Sequence, residues 1–326
     1  MSWWGMPTYL PTSLLLILIL LSTGEHEMEF CTGDESELLT KKTFCDKDST
    51  HEEFIPVADF HSGCLPESYR EKQDVFDLIQ AAIHITVRVV VEETSLDRPE
   101  GYTCHKLGRR GGLKRFGSGW VWSSFRSFST KDKETCPCKE CFTNKAVARS
   151  QWGQFIVRTA KHVIFDDFEA QHASCELNYD SEDCRGKCDT LLGVEVLMSD
   201  IDGDFSEVTF VTHDSDLSRK LEARVSHYRK LFNKLGSKNN AAHDAETQPV
   251  VIISHPHGCS KQISIGVVSA ERDDYPRNWT YTARTCPGSS GGPVLRLGNW
   301  SLLSCVPPHS GSRTLEMNYS SEPWLF

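Results

Sequence analysis

Thr285-Cys286-Pro287-Gly288-Ser289-Ser290-Gly291-Gly292-Pro293-Val294 is the stretch whose reading decides the rest of the chain. A serine set among glycines carries little steric cover, and backbone N–H groups can converge beside its hydroxyl on a carbonyl oxygen. Ser290 is therefore the candidate nucleophile. Such a serine needs a base to take its proton and an acid to orient the base. Without a matching histidine and aspartate, the same ten residues are only a glycine-rich turn.

Working outward, the histidine and the aspartate each lie at the edge of an apolar, strand-like run. Gln154 to Thr159 reads as a strand that passes into Thr159-Ala160-Lys161-His162-Val163-Ile164. Asp204 heads Phe205-Ser206-Glu207-Val208-Thr209-Phe210, where apolar residues at 205, 208 and 210 place the carboxylate at the mouth of a buried strand. Asp214 and Asp216 compete for the acid role, but Asp216 better suits a helix N-cap. His162, Asp204 and Ser290 thus each stand where a strand ends or a loop begins, the usual place for reactive groups on a β scaffold.

The chain has 326 residues, 39% hydrophobic and 25% charged, with net charge −10. That suits one domain of about 200 residues, or two smaller ones, plus extensions. No basic stripe accompanies the negative charge, which argues against nucleic acid as a partner. Leu14 to Leu21 is an apolar run followed by Ser22-Thr23-Gly24, a secretory leader with cleavage expected after Gly24. The run is too short to span a bilayer, which takes about 20 apolar residues. Thirteen cysteines and the sequons at Asn278, Asn299 and Asn318 agree with passage through an oxidising compartment, with several disulfides and one odd thiol.

Glu25 to about Arg70 is acidic, polar and broken by Gly and Pro; it reads as a loosely structured appendage or pro-region. Glu67 to Ala82 carries a short helix, and Ile83 to Val91 alternates as a strand with one buried face. Asp97 to Gly112 is a loop in which Arg109-Arg110 is a basic pair open to processing. Further strands are expected from Gly117 to Trp122, Leu191 to Met198, Pro249 to Ser254, Gln262 to Val268, Gly292 to Leu297 and Leu302 to Val306. Leu217, Leu221, Val225, Tyr228, Leu231 and Leu235 follow helical spacing, a surface helix inserted between strands. Many short strands, Gly/Pro turns and one long helix predict an all-β barrel or sandwich.

Two stretches carry metal-ligand residue types. Cys136-Pro137-Cys138-Lys139-Glu140-Cys141 with a cysteine downstream has the spacing to grip zinc, against the alternative of disulfides, which a secreted chain favours. His255 and His257 flank a proline but show no third ligand in the sequence, so a structural turn is expected. No metal and no cofactor is assigned.

T-A-K-H-V, D-F-S-E-V-T-F and C-P-G-S-S-G-G-P-V, in that order, resemble the histidine, aspartate and serine segments of the trypsin-like serine protease superfamily. G-S-G-W-V before the histidine and I-S-H-P-H-G-C-S-K-Q-I-S-I-G-V-V-S-A are similar to segments of the HtrA-type and glutamyl endopeptidase branches. The resemblance runs from Phe116 to Gly311. It implies two six-stranded antiparallel β-barrels with the site in the cleft between them, here with an inserted helix and an N-terminal extension. It further implies His162, Asp204 and Ser290 as the catalytic triad, and the N–H groups of Gly288 and Ser290 as the oxyanion hole. Arg284 falls at the floor of the primary specificity pocket and His309 on its wall, which implies an acidic residue before the scissile bond. Chymotrypsin-like members place an aspartate where this chain has Ser289, and no I-V-G-G-like start is present, so activation by a new N-terminus is not expected.

The sequence thus divides into a leader at 1–24, a cysteine-containing extension at 25–74, a protease domain at 75–313 and a tail at 314–326. The expected activity is that of a secreted serine endopeptidase acting on protein or peptide substrates, without nucleic acid or stable membrane insertion. The alternatives are an inactive trypsin-like binding module and a cysteine-rich, zinc-stabilised interaction protein.

Overall fold

The computed structural model describes residues 26–107, 112–126, 135–144, 148–238, 248–272, 277–298, 306–313 and 317–322. The leader, the Arg109-Arg110 pair, Asn299, Cys305 and most of the strand expected from Leu302 lie outside those residues. The strands are β1 (Glu29–Cys31), β2 (Ile55–Pro56), β3 (Thr86–Val91), β4 (Lys114–Arg126), β5 (Gly153–Thr159), β6 (Ala173–Leu177), β7 (Asp189–Asp200), β8 (Phe205–Thr212), β9 (Pro249–Ser254), β10 (Gln262–Arg272), β11 (Arg277–Tyr281), β12 (Val294–Arg296), β13 (Ser310–Ser312) and β14 (Met317–Glu322). The α-helices are α1 (Ser36–Thr43), α2 (Gln73–Ile83), α3 (Lys139–Thr143), α4 (Asp167–Gln171) and α5 (Ser215–Lys238).

Strands β4, β3, β6, β7, β8 and β5 pair antiparallel in that order, and a β4–β5 ladder closes them into a six-stranded barrel. Its interior holds Val87, Val89, Trp120, Val121, Phe155, Val157, Val208 and Phe210, all without solvent exposure. The second sheet runs β12-β9-β10-β11-β14-β13. Its two edges meet at a single antiparallel bridge, Pro293 to Pro308, rather than through a strand ladder, so this half is a curled sheet less regular than the first. The expected trypsin-like double-barrel, all-β fold is what the chain forms, with α5 the inserted helix. Leu217, Leu221, Val225, Tyr228, Phe232 and Leu235 line the buried side of α5, which packs on α2 and the first barrel.

Four local expectations change. Ile83 closes helix α2, and the strand begins only at Thr86, whose hydroxyl donates to the Ala82 carbonyl. Strand β3 is then buried on both faces instead of one. Its polar residue Arg88 donates to Glu176, to the Gly258 carbonyl and to Glu35 just before α1, so the extension and the second sheet cover what the alternation suggests is a wet face. The segment from 26 to 70 is also ordered, not loose. β1 adds to β4, β2 adds to β10, and Leu38, Phe54, Phe60, Leu65 and Tyr69 are buried. Its polar composition conceals this because its ion pairs close on distant residues. Finally, the residues from 317 to 322, expected in a tail, form β14 inside the second sheet.

Behind the histidine loop lies a fully buried carboxylate. Glu169 of α4 accepts from Arg98 at 2.7 Å and pairs with Arg115 at 2.8 Å, while Arg98 donates to the His162 carbonyl at 2.9 Å. Burial alone would raise the Glu169 carboxyl, but the Arg115 and Arg98 charges hold it well below the usual range. Removing one partner of such a cluster leaves uncompensated buried charge, at about 3–5 kcal/mol. Glu169→Ala is expected to lower stability by that amount in urea titration, whereas surface Glu52→Ala is expected to change it by less than about 0.5 kcal/mol.

Candidate active site

The end of β5 and the start of β8 bring the first two candidate residues together. Thr159 pairs with Ser206, so His162, three residues on, meets Asp204, two residues back. Asp204 sits at φ 46°, a left-handed conformation that aspartate tolerates better than most residues. One of its oxygens accepts the His162 backbone N–H at 2.9 Å; the other lies 2.6 Å from His162 Nδ1 and accepts the Ser310 hydroxyl at 2.5 Å. Burial would raise this carboxyl, but His162, His26 and the Ser310 bond hold it far below the ordinary range. The pair leaves Nδ1–H facing the carboxylate and Nε2 free to take a proton.

Ser290 approaches from the second sheet. Strand β4 seats its loop: Ser118 N–H donates to the Ser290 carbonyl at 2.7 Å, and the Ser118 hydroxyl donates to the Gly288 carbonyl at 2.8 Å. Gly288 has φ 95° and Gly291 φ 89°. A Cβ on Gly291 would lie 2.1 Å from the Ser118 carbonyl, so glycine is required for the nucleophile loop to reach β4. The N–H groups of Gly288 and Ser290 make no hydrogen bond to the described residues.

Residues 148–303 match the family model described as the trypsin-like peptidase domain, a span that contains all three residues. It is this domain that residues 148–303 resemble. No curated protein matches it. Among solved structures it is similar to the Rv3671c protease from M. tuberculosis in its active form, at 15% identity over 75% of this chain and 78% of that one, with TM-score 0.39. The serine endoprotease from Yersinia pestis is similar at 15% identity over 76% of this chain and 61% of that one, with TM-score 0.38.

The cleft of the peptidase domain is filled by the chain's own extension. His26 bridges antiparallel to Ser312, and Glu27 N–H donates to the Gly311 carbonyl at 2.8 Å. The His26 ring stacks on His162, centroids 4.4 Å apart and planes 8° apart. The Ser290 hydroxyl donates to the Glu27 carbonyl at 3.1 Å, and His162 Nε2 is buried with no partner. His26, Glu27 and Ser310 are not marked in the sequence; an H-E-x-E run after the expected leader is the available signal, but nothing local ties it to His162, 136 residues on (162 − 26).

A cavity of about 700 Å³ continues from Glu27 and is lined by Lys47, Arg284, Thr285, Arg313 and Asn318. Lys47 Nζ reaches the Glu27 carboxylate at 2.7 Å, Thr285 Oγ1 at 3.1 Å and Asn318 Oδ1 at 2.9 Å. Arg284 stands at the rim, with its side chain 51% exposed and paired with Glu53 at 3.1 Å, and not at the floor. His309 is buried behind the wall, Nδ1 2.6 Å from the Tyr281 hydroxyl. Burial holds its pKa well below the usual value, so it faces the pocket neutral if at all. The sequons Asn278 and Asn318 carry occupied side chains: Asn278 accepts from Ser321, and Asn318 Nδ2 donates to the Ala283 carbonyl.

Outside the His–Asp pair, two groups of thiols and imidazoles have the chemistry to hold a metal: Cys45, His51, His257 and Cys286, and Cys136, Cys138, Cys141 and His213. All described cysteines are thiols.

His26 supplies a pH test. Its surroundings are Asp204 at 3.6 Å, the stacked His162, Arg98, Tyr102 and the Tyr319 hydroxyl at 2.9 Å. Burial outweighs the attraction of Asp204 and lowers its pKa from 6.5 to about 4. The docked state thus favours neutral His26, a contribution present above pH 6.5 and lost as pH falls toward 4, up to about 3 kcal/mol. Hydrogen exchange at residues 26–31, corrected for intrinsic rates, is expected to rise across that window in the wild type and to stay level in His26→Phe.

Proposed function

We propose that the chain is a serine endopeptidase whose described state is latent. The observation that carries this reading is the buried His162–Asp204 pair with Ser290 brought beside the same cleft. In the open state, His162 Nε2 removes the Ser290 proton as the oxygen attacks a peptide carbonyl, then delivers it to the leaving amine. Asp204 keeps the imidazole in the productive tautomer and stabilises its cation. Gly288 and Ser290 N–H groups receive the developing oxyanion, at roughly 3 kcal/mol for one good donor. Water then repeats the sequence on the acyl-enzyme.

His26 and Glu27 pair with Ser312 and Gly311 of β13 as a bound peptide strand would, and Glu27 takes the Ser290 hydrogen bond that His162 needs. With the leader cleaved after Gly24, this segment stands at the start of the secreted chain. A preference for an acidic residue before the scissile bond is supported by Glu27 itself, whose carboxylate pairs with Lys47 at 2.7 Å beside Thr285 and Asn318, in a cavity that Arg284 and Arg313 line together with Glu29, Asp46 and Asp48. Charge-assisted hydrogen bonds in a partly dry pocket favour such a side chain.

Proline at position 27 removes the N–H that donates to Gly311. Full-length Glu27→Pro is expected to react with a fluorophosphonate probe at Ser290 at least about tenfold faster than wild type. On that background Ser290→Ala and His162→Ala should abolish labelling, and Asp204→Asn should slow turnover by roughly 10⁴. An opened cleft that never labels would leave a binding module. In a peptide library, the opened protein should cut after Asp or Glu; cleavage confined to apolar or basic positions rules out the acidic pocket.

A further inference from the structure

We propose that Cys45, His51, His257 and Cys286 bind one zinc ion, and that this ion clamps the N-terminal segment over the cleft. Four donor atoms lie within 4.8 Å of one another. Zn–S bonds of about 2.3 Å and Zn–N bonds of about 2.0–2.1 Å imply tetrahedral edges of about 3.8 Å between sulfurs, 3.3 Å between nitrogens and 3.6 Å between sulfur and nitrogen. The Cys45 and Cys286 sulfurs stand 3.6 Å apart, the His51 and His257 Nε2 atoms 3.2 Å, and Cys286 Sγ to His51 Nε2 3.5 Å. Three of the six edges therefore already match a zinc tetrahedron, and the other three lie within 4.8 Å.

The surroundings prepare them for a cation. Glu29 Oε2 lies 2.8 Å from His257 Nδ1, which fixes the proton there and turns the Nε2 lone pair inward, the usual carboxylate support of a metal-bound imidazole. Asp48 N–H points at Cys45 Sγ from 3.4 Å, as suits a thiolate. His51 and His257 both hold left-handed backbone, at φ 54° and 56°. Such strain persists where the surroundings impose it, and it clusters at ligand clamps.

Two donors come from the extension and two from the peptidase domain. Cys45 and His51 follow α1; His257 sits in the β9–β10 turn, and Cys286 is four residues before Ser290. His257 N–H also donates to the Pro287 carbonyl at 2.6 Å. An ion here joins the covering segment directly to the nucleophile loop.

The second set stands on its own geometry. Cys138 and Cys141 sulfurs lie 3.9 and 3.6 Å from His213 Nε2, and Arg149 N–H points at Cys141 Sγ from 3.4 Å. This Cys3His group takes zinc too, with His213 at the end of β8 as the fourth donor where a cysteine was expected. It pins the long β4–β5 connection and lies apart from the cleft.

The clamp rests on the peptidase reading; the metal content does not. Reduced, full-length protein purified with zinc and dialysed is expected to hold two equivalents by mass spectrometry, and its cobalt(II) form to show tetrahedral d–d bands. Cys45→Ser/His51→Ala should lose one equivalent and react with the fluorophosphonate at least about tenfold faster. His51→Cys, which keeps a ligand, should retain two equivalents and the slow rate. Cys138→Ser/His213→Ala should lose the other equivalent without change in labelling. No bound zinc, a Cys45–Cys286 disulfide in its place, or two equivalents retained by Cys45→Ser/His51→Ala would overturn the first site. Loss of zinc with no gain in labelling would overturn the clamp, provided that Glu27→Pro labels; if Glu27→Pro also fails, the peptidase reading falls and the metal site stands.

Discussion

The Asp204 carboxylate is the constraint on which the remaining structure depends. A buried ionised carboxylate is costly unless its oxygens are satisfied. Here the donors come from three separate parts of the chain. His162 supplies two from the β5 end of the first barrel, Ser310 one from the second sheet, and His26 of the extension faces the same oxygen. Satisfying this one group therefore requires the two sheets to dock together, and the extension's His26 packs against the same oxygen. The cleft is where that docking occurs.

This arrangement explains what the sequence made visible. His162, Asp204 and Ser290 were legible because each is marked locally, by a strand that ends, a strand that begins and glycines that permit a close approach. Helix α5 was legible for the same reason, since its apolar stripe repeats every turn. The strands that were missed are short or polar. β6 is five residues around Cys175, and β14 reads Met-Asn-Tyr-Ser-Ser-Glu, a pattern that carries no period of its own. Its hydroxyls are satisfied inside the fold; Ser320, for instance, donates to the Pro308 carbonyl. The extension escaped notice because its burial depends on partners far along the chain, Arg88 for Glu35 and Leu38 against Phe116. Composition sees the charges of such a segment and not their counterparts.

The cysteines teach the same point in another form. The Cys136 to Cys141 run announces itself, yet its fourth donor, His213, lies across the barrel at the end of a different strand. Cys45, His51, His257 and Cys286 have no common spacing at all, and His257 looked isolated because its companions lie 206 positions before it and 29 after it, by subtraction of those residue numbers. Cys45, Cys286, Cys136, Cys138 and Cys141 stand beside imidazoles that their sequence spacing does not announce. A thiol next to a histidine with a free Nε2 is a metal donor in chemistry whatever the compartment.

What happens at His257 is mechanically close to what happens at Ser290. The 255–258 turn packs against the nucleophile loop so tightly that a Cβ on Gly288 would lie 2.7 Å from the His255 carbonyl and 3.0 Å from the His257 nitrogen. The left-handed twist of His257 directs its N–H to the Pro287 carbonyl and its ring toward Cys286. Any rotation that released the ring would also free the Pro287 carbonyl, one residue before the Gly288 amide. The extension therefore touches the reacting groups by two routes. His26 and Glu27 occupy the cleft from above, while Cys45 and His51 grip the loop that carries the nucleophile from beside it. The first route is a set of hydrogen bonds and one ring stack, each worth about 1 kcal/mol and open to competition from a substrate strand. The second acts through Cys286 on the loop that carries the nucleophile and through Cys45 and His257 on the wall of the cavity beyond Glu27, by side-chain donors that strand pairing with β13 does not use, so the two controls on the cleft are physically separable.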